Sequence, residues 1–192
     1  MKNENYKKNI LDLFSLIDNI EGDVIEVGTY TGDTTEIIAE YLVRQNINKH
    51  YFGLDTFKGY IEEDMTGANQ ASISNHQSKR WHTSLEEVKN RLKKYDKVVS
   101  LHKGDCKLII KNLIKEKKIN KLSFIYIDCN LYIPSLKSMK VLWPHLSKGG
   151  IMAIDEHLVG GETQAIKDFA LSNNLDLNYY SDKSGPSYYI IK

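Results

Sequence analysis

The feature that most constrains the fold of this chain is a regular alternation of short apolar segments with amphipathic ones. Five apolar segments have the length of strands, and each is followed by a helical pattern: residues 23–28, 50–55, 98–102, 122–128 and 151–155. Strands that alternate with helices predict a mostly parallel sheet with helices on both faces. The apolar residues are nearly consecutive within each segment, which is typical of strands buried on both faces.

The helical patterns lie between these segments and after the last of them, over residues 34–44, 84–94, 107–117, 135–146 and 162–172. An apolar stripe predicts one more helix within residues 1–22, and its members are Leu11, Phe14, Leu16, Ile17 and Ile20. Ser84 and Glu87 have the spacing of a capping box, so we expect Ser84 to cap the helix that follows it.

The end of the chain predicts a reversal of strand direction. Residues 175–180 and 188–191 are apolar or aromatic segments separated by a short connection that ends in Pro186. So short a connection favours a hairpin, and hence an antiparallel last strand. With 192 residues, the chain is predicted to be a single α/β domain over residues 1–192. A seven-stranded sheet with this reversal has the layout of a Rossmann-like class I methyltransferase.

Charge and hydropathy exclude several classes of partner. The formal net charge is +1, so we expect no nucleic acid partner. No apolar run approaches the length of a membrane span, and we therefore expect no membrane partner and a cytoplasmic location. Residues 59–83 are polar and aperiodic, which predicts a mobile, lid-like segment.

A glycine turn follows the first strand, from Gly28 through Tyr30 and Thr31 to Gly32. Ligands of open parallel sheets bind at the carboxyl ends of the strands. The side chain of Tyr30 stands where a dinucleotide-binding turn has its second glycine, and it would block a pyrophosphate. Glu26 precedes the turn and suits a ligand that carries an ammonium group. A simple strand-to-helix turn explains these glycines equally well.

Two further strand ends support a nucleoside ligand. Asp55 ends the second strand and can accept hydrogen bonds from both ribose hydroxyls. Asp105 follows the third strand and can reach an adenine amine, although an exposed turn aspartate is an equal alternative. Thr56 and Cys106, the neighbours of these two aspartates, complete the predicted cofactor-binding set, to which Asp128 at the end of the fourth strand also belongs.

A second constellation lies where the fourth and fifth strands end. Asp128 follows one apolar strand, and Asp155 and Glu156 follow the next. Neighbouring strands are about 5 Å apart, so the three carboxylates are expected to converge. Carboxylate oxygens suit Mg²⁺ or another hard divalent cation. The alternative is that each acid caps the helix that follows its strand.

These segments resemble the macrocin O-methyltransferase (TylF-type) family of sugar O-methyltransferases, which use S-adenosylmethionine (SAM) and a divalent metal. The matching segments are residues 25–28, 53–59, 84–88, 127–132, 146–150, 154–156 and 161–163, together with residues 165, 166 and 169. The resemblance implies a Rossmann-like fold, SAM as methyl donor and Mg²⁺ beside a sugar hydroxyl of a polysaccharide or glycosylated metabolite. It assigns the metal to Asp128, Asp155 and Glu156, and it suggests a homodimer.

The chain departs from the family at Asn130, where the family usually has an aspartate that resembles the general base. A neutral amide cannot take up a proton at neutral pH. His157, Asp128 or His82 is then left to accept the proton, and we expect Lys58, Trp81 and Tyr132 to contact the acceptor. Two other functions stay open: a catechol or phenol O-methyltransferase, and a SAM-binding module without catalysis. Tyr30 and the terminal hairpin argue against a third, a nicotinamide-dependent oxidoreductase.

Overall fold

A computed structural model describes residues 2–65, 81–155, 160–180 and 185–192. Within these ranges, seven strands form one sheet: β1 (Asp23–Val27), β2 (Tyr51–Asp55), β3 (Val99–Lys103), β4 (Leu122–Ile127), β5 (Leu146–Ile154), β6 (Asn178–Tyr179) and β7 (Tyr188–Ile191). Their spatial order is β3-β2-β1-β4-β5-β7-β6. Strands β1 to β5 pair in parallel, and β7 is antiparallel to both β5 and β6. The predicted sheet with a reversed last strand is therefore confirmed.

Helices cover both faces of this sheet. They are α1 (Glu4–Ser15), α2 (Asp33–Arg44), α3 (Leu85–Leu92), α4 (Cys106–Lys115), α5 (Tyr132–Leu142) and α6 (Gly161–Ser172). The apolar faces of α1, α2 and α3 form one buried cluster with the sheet, and those of α4, α5 and α6 form the other. None of the described helices is long and apolar enough to cross a membrane.

Strand β4 shows why the apolar segments become central strands. All six of its residues are buried. Phe124 and Tyr126 belong to the cluster on one face, and Ile125 and Ile127 belong to the cluster on the other. A strand that alternates between two cores is expected to be apolar at most of its positions, which is the pattern that predicted it.

The element boundaries differ from the sequence predictions at several elements, including α5, which spans Tyr132–Leu142 rather than residues 135–146. Strand β5 begins at Leu146 rather than at residue 151, because Gly149 and Gly150 exchange backbone hydrogen bonds with Lys192 and so continue the sheet. Strand β6 is reduced to two residues. Helix α1 ends at Ser15, so the side chain of Leu16 is 62% exposed instead of buried with the predicted stripe.

The predicted lid-like segment, residues 59–83, lies partly outside the described residues. Its described beginning forms a short 3₁₀ turn over Glu62–Met65. On the other side, His82 pairs with Lys58 in an isolated antiparallel bridge. Ser84 caps α3 with the predicted capping box, since its hydroxyl accepts from the Glu87 amide while the Glu87 carboxylate accepts from the Ser84 amide.

The order of the strands places a ligand site between β1 and β4. The chain moves outward from β1 through β2 to β3, and it then returns to β4 on the other side of β1. Such a reversal opens a crevice at the carboxyl ends of the central strands. The predicted binding residues follow these strand ends.

Candidate active site

A cavity of about 350 Å³ opens at this crevice. The ends of β1, β2, β4 and β5 contribute to its wall, together with the segment before α1 and residues next to the partly described loop. The residues that line it include Lys2, Gly28, Tyr30, Thr31, Asp55, Thr56, Trp81, Cys106, Asp128, Asn130 and Asp155.

The turn after β1 is held tightly against β4. Gly28 has a φ of +103°, and a Cβ at this position would collide with the backbone carbonyl of Asp128. Tyr30 also has a positive φ, of +47°, and its ring packs edge-on against Trp81 with ring centroids 5.3 Å apart. The turn therefore presents backbone and an aromatic side chain to the cavity rather than a glycine-lined cradle.

Asp55 joins this turn to the next one. Its two carboxylate oxygens accept hydrogen bonds from the backbone N–H groups of Tyr30 and Phe57, each at 2.7 Å. Burial raises the pKa of Asp55, and the backbone hydrogen bonds limit that rise. Because a carboxylate has about four lone-pair sites, Asp55 keeps acceptor capacity for a ligand hydroxyl.

Glu26 lies behind the cavity rather than in its wall. Its side chain is 1% exposed, and its Oε2 accepts hydrogen bonds from the hydroxyls of Thr35 at 2.5 Å and Tyr51 at 2.8 Å. Burial raises the pKa of Glu26 to about 7, against the opposing effect of these hydrogen bonds. In this structure Glu26 fixes β2 and α2 against β1.

This raised pKa predicts a pH-dependent contribution of Glu26 to stability. The folded state favours the protonated acid, so its contribution is fully present below the unfolded pKa near 4.5 and is lost as the pH rises through about 7. Between pH 5.5 and pH 8, the unfolding free energy of wild type relative to Glu26→Gln should fall by about 2 kcal/mol. Urea unfolding of both proteins at the two pH values measures it.

The matched control for that measurement is Glu21→Gln. The Glu21 side chain is 76% exposed at the surface, so its replacement should leave the difference between the two pH values as it is in wild type. If the unfolding free energies of wild type and Glu26→Gln changed by the same amount between the two pH values, the raised pKa of Glu26 would be contradicted.

Asp128 and Asp155, called here the carboxylate pair, converge on one cation. Oδ2 of Asp155 lies 2.9 Å from the ammonium nitrogen of Lys2, and Oδ2 of Asp128 lies 3.4 Å from it. The other oxygen of Asp155 accepts a 2.7 Å hydrogen bond from the hydroxyl of Tyr126. That hydroxyl is in turn 2.9 Å from the hydroxyl of Tyr6 on α1.

The electrostatics of the carboxylate pair favour a bound cation. Burial, and then the charge of Asp155, raise the pKa of Asp128 well above its ordinary value. Burial alone would lower the pKa of Lys2, but the charges of Asp128 and Asp155 outweigh it and raise that pKa. Two carboxylates that share one cation are the oxygen donors that Mg²⁺ prefers, and Mg²⁺ commonly uses only one or two protein carboxylates with water. The pair therefore fits a hard divalent cation.

The predicted third metal ligand, Glu156, lies outside the described residues, as does the candidate base His157. Among the residues that the structure describes, no three His, Cys, Asp or Glu side chains form a metal-binding group. Of the three predicted metal ligands, the structure describes only Asp128 and Asp155. The metal site and the roles of Glu156 and His157 stay predictions.

Asn130 lines the cavity in a strained backbone conformation. Its φ is +60°, a region that asparagine tolerates better than most residues. Its backbone N–H donates a hydrogen bond to the carboxylate of Glu162, which is fully buried at the start of α6. Glu162 therefore fixes the loop that carries Asn130, a role that the sequence patterns did not indicate.

The other predicted contacts divide into two groups. Those that line the cavity are Thr31, Thr56, Cys106 and Trp81, and those that do not are Gly32, Lys58, His82, Asp105 and Tyr132. Two members of the second group have other partners. Asp105 caps α4 by accepting from the Lys107 amide at 2.9 Å, and the Tyr132 hydroxyl donates to Asp168 at 2.8 Å.

Comparison with known proteins identifies a family. Residues 6–181 match the model of the family described as macrocin O-methyltransferase (TylF). A curated relative from Streptomyces olivaceus, 8-demethyl-8-(2,3-dimethoxy-alpha-L-rhamnosyl)-tetracenomycin-C 4'-O-methyltransferase, is 23% identical over 163 residues. That match covers 80% of this chain and 60% of the relative, so this chain spans less than two thirds of the relative's length.

Solved structures show the same fold. The O-methyltransferase NovP superposes with a TM-score of 0.78 at 19% identity, over 98% of this chain and 78% of that chain. The apo structure of CalS11, described as a TDP-rhamnose 3'-O-methyltransferase of calicheamicin biosynthesis, superposes with a TM-score of 0.69 at 20% identity, over 96% of this chain and 77% of that chain. At these identities the likeness establishes the fold alone.

Proposed function

This chain belongs to the macrocin O-methyltransferase (TylF) family, and from that membership we propose that it transfers a methyl group from SAM to a hydroxyl of a sugar unit, with the help of a divalent cation. The observation that carries the proposal is a single cavity lined by both Asp55 and the carboxylate pair. One part of the wall thus suits a nucleoside, and another suits a metal-held hydroxyl.

The part of the cavity at the ends of β1 and β2 suits SAM as the methyl donor. Asp55 offers carboxylate oxygens to the ribose hydroxyls while it holds the backbone N–H of Tyr30. Cys106, Leu131 and Pro134 add apolar wall, which suits a purine ring. A largely apolar pocket with a few fixed polar groups is typical of small-molecule sites.

The acceptor class is inferred from relatives. The names of the relative from Streptomyces olivaceus and of CalS11 both specify methylation of a rhamnose hydroxyl. We therefore propose a deoxysugar, carried on a nucleotide or on a metabolite, as the acceptor class. A cytoplasmic location and a homodimer stay predictions from the sequence.

The mechanism is mainly one of positioning. Methyl transfer requires the acceptor oxygen to approach the methyl carbon in line with the breaking bond to sulfur, and holding two reactants in this geometry removes much of the barrier. Asp55 and the turn around Gly28 would fix the donor. Asp128 and Asp155 would hold a divalent cation, which would lower the pKa of an acceptor hydroxyl. Tyr126 orients Asp155 by its hydrogen bond.

The proton acceptor is the step in which this chain differs from its family. Asn130 has an amide where the family resemblance implies a carboxylate. Of the described candidates, Asp128 lines the cavity and His82 does not. We propose that Asp128 takes the proton, with His157 as the second candidate.

This assignment predicts that Asn130→Asp speeds up methyl transfer. A carboxylate at residue 130 would add a general base, and general bases contribute 10²–10⁴-fold in suitable positions. Because Glu162 already lies against this loop, we expect a smaller gain, of about tenfold in kcat at pH 8. The aspartate also tolerates the positive φ at this position. Initial rates with saturating SAM and acceptor measure the gain.

Asn130→Ala is the control for that experiment, because it removes the amide without adding a base and should not raise kcat. An Asn130→Asp variant whose kcat equals or falls below that of wild type would show that the missing carboxylate does not limit the reaction.

The function itself is tested by transfer of radiolabelled methyl from SAM to a panel of acceptors. TDP-deoxysugars and rhamnosylated aglycones represent the proposed class, and catechols represent the phenol alternative. Label in the saccharides that is lost with EDTA supports the proposal. Label only in catechols would reassign the acceptor, and activity unchanged by EDTA would remove the metal. SAM binding without transfer to any acceptor would favour the binding module.

A further inference from the structure

The cation that contacts the carboxylate pair in this structure is the ammonium group of Lys2. The ammonium of Lys2 bridges Asp155 and Asp128 at 2.9 and 3.4 Å. It also lies 4.2 Å from the centre of the Tyr6 ring, in a cation–π arrangement. The Lys2 side chain is only 29% exposed. Lys2 is thus held by two carboxylates and an aromatic face, and only part of its side chain contacts solvent.

We propose that Lys2 is the resident counter-ion of the carboxylate pair, and that a divalent cation binds there only by displacing its ammonium group. The inference rests on the proposed metal site at Asp128 and Asp155. It goes beyond that site because it makes a residue outside the family-matched region, which begins at residue 6, a determinant of metal affinity.

The two cations exclude each other on geometric grounds. A magnesium ion binds carboxylate oxygens at about 2.0–2.1 Å. The ammonium nitrogen of Lys2 already contacts the Oδ2 atoms of Asp155 and Asp128, and so it occupies the place that the metal ion would need. The other Asp155 oxygen is engaged by Tyr126, so both cations depend on the same Oδ2 atom. Two cations side by side would also repel each other strongly in this partly buried site.

Charge balance explains why each cation can hold the site. Two neighbouring carboxylates with side chains about one-fifth exposed need a nearby positive charge, because a buried unpaired charge is costly. When both carboxylates are ionised, the single positive charge of Lys2 leaves the three groups with a net charge of −1. A divalent cation neutralises the pair completely, so it can replace Lys2 once its concentration is sufficient.

The exchange requires little rearrangement of the fold. Lys2 precedes Asn3, which caps α1 by accepting a hydrogen bond from the Tyr6 amide. Helix α1 itself is anchored by the buried residues Ile10 and Phe14. Only the residue before the cap has to move. Because Lys2 also lines the cavity, its release enlarges the space beside the carboxylate pair where an acceptor hydroxyl would bind.

The expected effect on metal affinity follows from competition. When a site is competent only while its internal occupant is away, the apparent Kd equals the intrinsic Kd divided by the competent fraction. A Lys2 that occupies the pair about nine tenths of the time weakens metal binding about tenfold.

Manganese alone, titrated into the purified full chain and followed by the EPR signal of free Mn²⁺, tests the inference. Lys2→Met removes the charge and keeps the length, and its Kd for Mn²⁺ should fall about tenfold. Lys2→Arg retains a cation and should stay near wild type. Lys8→Met is the matched control, because Lys8 is 71% exposed on α1 and forms its ion pair with Asp12, away from the carboxylate pair.

A second readout follows the lysine itself. Acetylation of Lys2 by acetic anhydride, quantified by mass spectrometry, should increase when Mn²⁺ is added, while acetylation of Lys8 should not change. This measurement does not depend on methyl transfer or on an acceptor.

Several results would overturn the inference. A Kd for Mn²⁺ that is the same in Lys2→Met and wild type, or weaker in Lys2→Met, would show that Lys2 does not compete. In that case the proposed function stands if wild type still transfers methyl groups in a metal-dependent way. Mn²⁺ binding to none of these proteins would overturn the inference together with the proposed metal site.

Discussion

Replacing Asp55 with alanine is expected to weaken SAM binding at least about a hundredfold. Asp55 makes charge-assisted hydrogen bonds to the backbone N–H groups of Tyr30 and Phe57, and bonds of this kind contribute about 1.5–3 kcal/mol each. Alanine would release the turn after β1 and the turn after β2 at once. It would also remove the proposed acceptor for the ribose hydroxyls. Isothermal titration with SAM and with S-adenosylhomocysteine measures the loss.

Two further variants make that result specific. Asp55→Asn keeps one oxygen acceptor and should lose less affinity than Asp55→Ala. Asp105→Asn changes an aspartate that caps α4 and does not line the cavity, so its affinity for SAM should stay within about threefold of wild type. A folded Asp55→Ala protein that binds SAM as tightly as wild type would remove Asp55 from the site.

Asp128→Ala should reduce the rate of methyl transfer about a thousandfold while it leaves a folded protein. The substitution removes half of the carboxylate pair and the proposed proton acceptor. Loss of an electrostatic group that acts on the reacting centre typically costs 10²–10³-fold, and loss of a general base costs a similar factor. A single-turnover assay at saturating SAM and Mg²⁺ separates this loss from any change in SAM affinity.

The control for Asp128→Ala is Asp168→Ala, on α6. Asp168 accepts a hydrogen bond from the Tyr132 hydroxyl and does not line the cavity, so its replacement should leave the transfer rate unchanged. If Asp128→Ala transferred methyl groups at the wild-type rate, Asp128 would be neither a required metal ligand nor the proton acceptor.

The residues show which parts of this molecule follow from sequence patterns. Strand β4 was predicted because a strand between two helical layers must be apolar on both faces, and its residues indeed alternate between the two cores. Aspartates at strand ends predicted a shared site because parallel strands end at one edge of the sheet. Asp55, Asp128 and Asp155 all line the same cavity.

Other parts could not be predicted, because they depend on contacts between distant segments. Lys2 and Asp155 are 153 residues apart in the chain, and no local pattern marks a lysine before a helix cap as a ligand of a carboxylate pair. Glu26 was expected to contact the ligand because it precedes the turn. In the structure its side chain instead points toward Thr35 and Tyr51. The alternation of side chains along β1 does not by itself show which face of the strand lies toward the cavity.

The most direct test of the methyltransferase assignment uses SAM that carries a trideuterated methyl group. After incubation of the full chain with this SAM, Mg²⁺ and a rhamnosylated acceptor, mass spectrometry with fragmentation locates the label. The proposed function predicts one trideuteriomethyl group on an oxygen of the sugar, with S-adenosylhomocysteine formed in equal amount. Transfer of the label to carbon or nitrogen, or an acceptor panel that stays unlabelled while the folded protein binds SAM, would contradict it.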